Sequence, residues 1–295
     1  MLDLVRLSPR LLFPPGGKDL ARQIALLTDM SEGLEVLDVG CGKGVSLEFF
    51  VREYGVRGSG VESDSRLVAE ANDRFREADL AARVQVQQGS ADRLPYRDAI
   101  FDVSVGEIGM TTDARAADAV RELVRVTRPG GAVVLVQPVW KAPVDEDRRQ
   151  VLESHLGVKP GMLVEWKRLL KENGVTQILI EDWSDDETAF RGSAAKPFPD
   201  FAELFSLTEK LGILRRAWGR YGWTGVRAVL EREREIHRLL TRERLLGLDL
   251  LKGIRDPEVE DGRATGVPVG SAIQAAPEAP DSSDTPELPL FDEPS

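Results

Sequence analysis

Val36-Leu37-Asp38-Val39-Gly40-Cys41-Gly42-Lys43-Gly44-Val45-Ser46 decides how this chain is read. The apolar run Glu35–Val39 stops at alternating glycines, as a buried strand does where it meets a turn. Val45–Tyr54 then has helical character. Glycines at such a turn accept positive φ and leave room for a ligand above the backbone. The helix behind them presents unpaired N–H groups and a partial positive charge, which favour an anion or a carboxylate. Strand, glycine turn and helix serve several ligands, so the spacing must discriminate. A dinucleotide fingerprint needs G-x-G-x-x-G; Gly40 and Gly42 fit, but Val45 stands at the third glycine. The phosphate loop G-x-x-x-x-G-K-[ST] occurs nowhere in the chain. What remains is D-x-G-x-G-x-G, an acid two residues ahead of three alternating glycines.

Working outward, Asp19–Thr28 reads as a helix with Leu20, Ile24 and Leu27 on one face. Gly58–Val61 is a second strand, and Asp64–Ala78 a helix with Leu67, Val68, Ala71, Phe75 and Ala78 at helical spacing. Arg83–Gln87 and Phe101–Val105 are the third and fourth strands. Arg115–Val126 is a helix striped by Ala116, Ala119, Val120, Leu123 and Val124. Thr127–Gly131 holds a Pro-Gly-Gly turn, and Ala132–Gln137 is the fifth strand. Gly161–Asn173 is a helix stopped by Asn173-Gly174, and Val175–Glu181 the sixth strand. This alternation predicts an α/β domain: a doubly wound, mostly parallel sheet with helices on both faces. Beyond Trp183 the pattern changes. Thr208–Arg244 is helical and Arg-rich, ten bases against five acids, with a break expected at Gly219 and Gly222. Leu246–Gly253 reads as a helix end or a last strand.

Composition sets the outer bounds. A chain of 295 residues, 42% hydrophobic and 30% charged, fits a globular enzyme better than a disordered or fibrous protein. The net charge of −11 makes it a poor partner for nucleic-acid phosphates. Residues 256–295 carry ten acids, one base and seven of the seventeen prolines, so −9 of the charge sits there and −2 on the rest. Such a segment buries too little apolar surface to offset its ordering entropy, and a disordered tail is expected. The single cysteine, Cys41, excludes an internal disulfide and any cysteine-cluster metal site within one chain. His155 and His237 form no ligand pattern, so no metal is expected. No run of 18 apolar residues exists, and Arg6, Pro9, Arg10, Pro14 and Pro15 interrupt the start, leaving no signal-peptide core. The expected location is cytoplasmic.

The string at 38–44 resembles motif I of the class I S-adenosylmethionine-dependent methyltransferases, in their UbiE-like, type 11 group. The resemblance continues in order. Gly60-Val61-Glu62-Ser63 is similar to the ribose-binding acid at the end of the second strand. Gly89-Ser90-Ala91-Asp92-Arg93-Leu94-Pro95-Tyr96 resembles the G-D-A-x-x-L-P-F loop, and Phe101-Asp102-Val103 the strand after it. Leu123–Gly131 resembles L-x-R-V-L-K-P-G-G, and Phe13-Pro14-Pro15-Gly16-Gly17 the H-P-G-G lead-in of some members. The match covers residues 13–183. It implies a seven-stranded Rossmann-like sheet of order 3-2-1-4-5-7-6. A core over 1–183 would be followed by a helical cap or insertion over 184–244, with 245–255 as the last strand.

The resemblance also implies roles. Asp38 would order the loop and approach the methionine amino group. Gly40, Cys41, Gly42 and Gly44 would pass beneath methionine and ribose. Glu62 would hold the ribose hydroxyls and Ser63 would flank the adenine. Ala91 would offer its N–H to the ring. Ser90, where the family often has Asp, or its neighbour Asp92, would accept from the adenine amino group. Gly106 and Glu107 would face the reacting methyl group, and Glu107 and Asp113 are the local base candidates. The implied reaction is in-line methyl transfer to a small organic acceptor through O, N or C, leaving S-adenosylhomocysteine. A protein or lipid-like acceptor and a non-catalytic S-adenosylmethionine-binding regulatory subunit are the alternatives. Trp140, Trp183, Trp218, Tyr221 and Trp223 are candidates to line the cap, whose excess of positive charge favours an anionic acceptor. Nucleic acid is not an expected partner, since no N-P-P-Y-like string follows the fourth strand.

Overall fold

The structure, a computed structural model, describes residues 11–184 and 205–257. The expected tail over 256–295 and the start of the expected cap lie largely outside the described residues. Seven strands form one sheet: β1 (Glu35–Val39), β2 (Arg57–Glu62), β3 (Val84–Gln88), β4 (Phe101–Gly106), β5 (Thr127–Trp140), β6 (Val175–Asp182) and β7 (Leu246–Arg255). Their order is β3-β2-β1-β4-β5-β7-β6. The pairs from β3 to β5 are parallel, and β7 runs antiparallel between β5 and β6. All five β1 residues are buried, as a central strand covered on both faces requires.

Helices cover the two faces. On one, α1 (Gly17–Leu27), α2 (Val45–Tyr54) and α3 (Ser65–Glu77) bury Leu20, Ile24, Leu47, Phe50 and Phe75 against Val36, Val103 and Val134. On the other, α4 (Ala116–Val126) and α6 (Leu163–Glu172) bury Val120, Leu123, Trp166 and Leu170 against Leu37, Val133 and Leu251. Alternate residues of one strand thus feed opposite cores. Local chemistry sets the ends. The Asp64 carboxylate caps α3 by accepting from the Arg66 N–H, and Gly55 closes α2 at φ +74°. At the far end of the sheet, buried Arg255 donates to the carbonyls of Val124, Arg125 and Thr127, where α4 ends and β5 begins.

Several expectations are corrected. The Pro-Gly-Gly turn does not precede β5 but sits within it as an irregularity. Phe101 pairs with Thr127 and Val103 with Ala132, and Gly130 takes φ +77°. The sixth helix starts at Leu163, because Gly161 is held against Val139 and accepts from the Trp140 N–H. Between β5 and α6 lies a helix that periodicity did not show, α5 (Glu146–Leu156); only Leu152 is buried, so it has no stripe to read. The Arg-rich helix α7 (Leu207–His237) breaks at Gly222 alone, with φ 68° and ψ 178°. Residues 246–255 are a strand.

Because β6 runs parallel to β5, the connection carrying α7 leaves after Asp182 and returns at Leu246, which pairs with Trp140. It therefore begins and ends at the carboxyl ends of the parallel strands. Here Lys141 donates to Asp182 and to buried Asp249, closing the β5-β7-β6 edge. No helix among the described residues is long and apolar enough to cross a membrane.

Candidate functional site

The carboxyl ends of β1 to β4 meet at one crevice, the usual ligand position of an open α/β sheet. After β1 the chain turns through Gly40, Gly42 and Gly44, all at positive φ (76°, 54° and 67°), and enters α2. The turn is tied on both sides. Gly40 N–H and Cys41 N–H donate to the Val61 carbonyl at 2.9 and 3.3 Å, and Gly42 N–H donates to Glu62 Oε2 at 2.9 Å. From β4, Glu107 N–H donates to the Val39 carbonyl at 3.0 Å. The other Glu62 oxygen accepts from Ser63 N–H and Asp64 N–H at 2.9 and 3.1 Å. The carboxylate at position 62 is therefore fastened to the glycine turn.

The glycines differ in what they face. A Cβ on Gly40 would lie 2.3 Å from the Met110 backbone nitrogen and 2.5 Å from the Gly109 carbonyl carbon. A Cβ on Gly44 would meet the Phe75 ring at 2.7 Å. A Cβ on Gly42 would meet nothing within 4 Å. Gly40 and Gly44 serve packing, whereas Gly42 borders open space. That space is a cavity of about 200 Å³ lined by Leu12, Pro14, Gly42, Lys43, Glu107 and Ile108 among others. Gly40→Ala should cost about 3 kcal/mol of stability, since backbone atoms would have to move. Gly42→Ala should cost only about 1–2 kcal/mol, from left-handed backbone strain, while weakening any ligand seated in the cavity. Thermal melts beside ligand titrations of the two variants check this contrast.

Three carboxylates surround the turn. Asp38, at the end of β1, is fully buried, and neither of its oxygens has a hydrogen-bond partner. It does not order the loop through hydrogen bonds, contrary to expectation. Burial, then the neighbouring charges of Glu107 and Glu62, hold its carboxyl well above the usual range. Glu107 lies just past β4, 8% exposed. Burial pushes it up to about 7, against the pull of the Ser46 hydroxyl. Among the described residues that line the cavity, the cation is Lys43, and it pairs with Glu70 at 2.8 Å rather than with these acids. Burial and the three carboxylates also push the Cys41 thiol well up, so it stays neutral and acts as a small buried filler.

The other expected residues fall as follows. Ser90 and Ala91 lie just beyond β3, Ala91 buried and Ser90 half-buried; Asp92 points to solvent. Gly106 ends β4, and a Cβ there would meet Met110 Sδ at 2.5 Å. Asp113 is exposed on the loop after the short helical turn Ile108–Thr111, in contrast to buried Glu107. Trp140 and Trp183 are buried in cores, Tyr221 is half-buried, and Trp218 and Trp223 are exposed; none lines the cavities beside Glu107. Sequence reasoning missed Gln137. Its buried amide donates to the carbonyls of Gly106 and Glu107 at 3.0 Å each and so fixes the backbone that carries Glu107. A polar residue within the apolar run Ala132–Gln137 was the available signal. A narrow apolar slot between Pro14, Ile24, Ile108 and Val136 reaches Glu107 from the α1 side. Among the described residues, no group of three His, Cys, Asp or Glu could hold a metal ion.

Comparison with known proteins gives a consistent picture. The family profile described as a methyltransferase domain matches residues 36–131. The chain is 28% identical over 207 residues to methyltransferase GfsG of Streptomyces halstedii, covering 69% of this chain and 74% of that one. It is 29% identical over 188 residues to the 27-O-demethylrifamycin SV methyltransferase of Amycolatopsis mediterranei, covering 62% and 69%. Among solved structures, the [4+2]-cyclase SpnF shares the fold with a TM-score of 0.59 at 24% identity, over 82% of each chain.

Proposed function

We propose that this chain, a class I S-adenosylmethionine-dependent methyltransferase, passes the methyl group to a small organic acceptor in the crevice beside Glu107. The observation that carries the binding mode is the carboxylate set: Asp38 with two unpartnered buried oxygens, beside Glu107, with no cation paired to either among the described residues. Buried acids without a partner are costly, and a cationic ligand offsets that cost. S-adenosylmethionine, with its ammonium and sulfonium, fits such a pocket. The open space over Gly42 fits it as well.

Bound there, the cofactor supplies a methyl carbon already activated by its sulfonium. The residues supply position and charge. Asp38 faces the ammonium. Glu62 Oε2 accepts from Gly42 N–H alone, whereas Oε1 accepts from Ser63 and Asp64, so the second lone pair of Oε2 takes a ribose hydroxyl. Ser63, Ser90 and Ala91 flank the adenine, with Asp92 at the outer rim. Gly40, Cys41 and Gly42 form the floor, and Gly44 carries the turn into α2. Glu107, near 7 and held by Gln137, receives the proton that a hydroxyl or amine acceptor loses as its bond to carbon forms. Asp113, exposed to solvent, takes no part in this proposal.

Turnover is tested with radiolabelled S-adenosylmethionine and pooled hydroxyl- and amine-bearing metabolites. The expected result is label in a small organic product and stoichiometric S-adenosylhomocysteine. Cofactor binding with no product from any pool would instead favour the non-catalytic reading.

A further inference from the structure

Helix α7 already has a core-facing side. Ile213 and Ala217 are buried there with Phe205 and Val226. It also has a second apolar side. Leu207, Leu211 and Trp218 recur at i, i+4 and i+11, one stripe of the helix, with Leu214 between them half-buried against the core that holds Ile213. Leu207, Leu211 and Trp218 are 77%, 68% and 61% exposed, and Trp223, just past the kink at Gly222, is 72% exposed. Contiguous large apolar residues left in water mark a surface that something else covers.

We propose that this face of α7 docks the protein on an anionic lipid surface, beside the mouth of the candidate site. The charge argues for that occupant. Between residues 207 and 223 there are four bases (Lys210, Arg215, Arg216 and Arg220) against one acid, Glu209. The three arginines are exposed. A helix with leucines on one stripe, tryptophans beside it and arginines around it has the composition of an interfacial helix. Its rings and leucines enter the headgroup boundary while the guanidinium groups stay with the phosphates. A second copy of this chain would instead bring two cationic rims together.

The rest of the fold sets a consistent orientation. The connection bearing α7 leaves and rejoins the sheet at the same end as the glycine turn, Glu62 and Glu107. Leu12 packs against the α7 cluster and also lines the cavity over Gly42, so one residue joins the docking helix to the site. The cationic residues around the exposed stripe lie at the α7 end, so an anionic surface would attract that end. Docked this way, the site faces acceptors that partition into a bilayer, a deepening that rests on the methyltransferase reading; the docking itself does not.

Flotation of the full chain with phosphatidylcholine vesicles containing phosphatidylglycerol, against phosphatidylcholine alone, tests the proposal. The chain should float only with the anionic vesicles, leave them in high salt, and show a blue shift of tryptophan emission when bound. Trp218→Ser/Trp223→Ser should lower the bound fraction by about tenfold, with S-adenosylmethionine affinity unchanged. Arg215→Glu/Arg220→Glu leaves the apolar stripe intact and should abolish flotation through charge alone. A wild-type chain that does not float, or two variants that float as well as wild type, would overturn the proposal. So would a wild-type dimer that Trp218→Ser/Trp223→Ser converts to monomer, which assigns the face to a second copy. Capture of a peptide of residues 256–295 without vesicle binding assigns it to the chain's own acidic segment and overturns it equally.

Discussion

Glu62→Ala is expected to lower the affinity for S-adenosylmethionine by roughly a hundredfold. A hydrogen bond to a charged group contributes about 1.5–3 kcal/mol, and about 3 kcal/mol is two decades in affinity. The same carboxylate accepts from Gly42, Ser63 and Asp64 N–H groups, so its loss also loosens the turn that forms the cavity floor. The stability cost should be about 1–3 kcal/mol, because these amides are only partly buried and water replaces some of the lost bonds. Glu62→Gln should not restore binding. Both oxygens face backbone N–H donors, so the amide nitrogen meets another donor whichever way the side chain turns. Wild-type affinity in either variant would separate the ligand from this carboxylate.

Glu107→Gln is expected to stabilise the ligand-free chain at pH 8 and to impair cofactor binding and turnover. The folded-state value of about 7 lies above the ordinary 4.5. Between those values the folded state holds a proton that the unfolded state has released. Stability of the ligand-free chain therefore falls as pH rises from about 4.5 through 7, by up to about 3 kcal/mol, and then levels off. The glutamine variant lacks this loss, so its Tm should exceed wild type by roughly 5–10 °C at pH 8 and match it near pH 4.5. Asp38, raised for the same reason, bends the profile in the same direction. Affinity for a cationic ligand runs the opposite way. It should weaken as pH falls from 8 to 6, by at most about tenfold per unit for one proton, and Glu107→Gln should flatten that dependence. Equal melting profiles in wild type and variant would show that Glu107 ionises as an ordinary surface acid.

The parts of this molecule that were legible in sequence are those fixed by local rules. The glycine turn could be read because Gly40, Gly42 and Gly44 all require positive φ. Glu62 could be placed because one helix and one strand separate it from the turn. The sheet followed from the βα alternation, and its order from the resemblance. What was not legible depends on tertiary contacts. Helix α5 carries one buried side chain and leaves no periodic trace. Gln137 matters only because β5 lies beside β4, which puts its amide against the carbonyls of Gly106 and Glu107. Glu107 and Asp113 look alike in sequence; burial alone separates them. Trp218 and Trp223 have core-like composition, and only the packing of α7 shows them in solvent.

The central claim is that acids at 38, 62 and 107 form, with the glycine turn, a cradle for a cationic nucleoside. Calorimetric titration of S-adenosylmethionine into wild type and Glu62→Ala, at pH 7 in two buffers of different ionisation enthalpy, reads affinity and proton exchange together. The account predicts one site per wild-type chain, filled with release of protons, and binding roughly a hundredfold weaker in the variant. No binding by wild type, equal binding by both, or uptake of protons would contradict it.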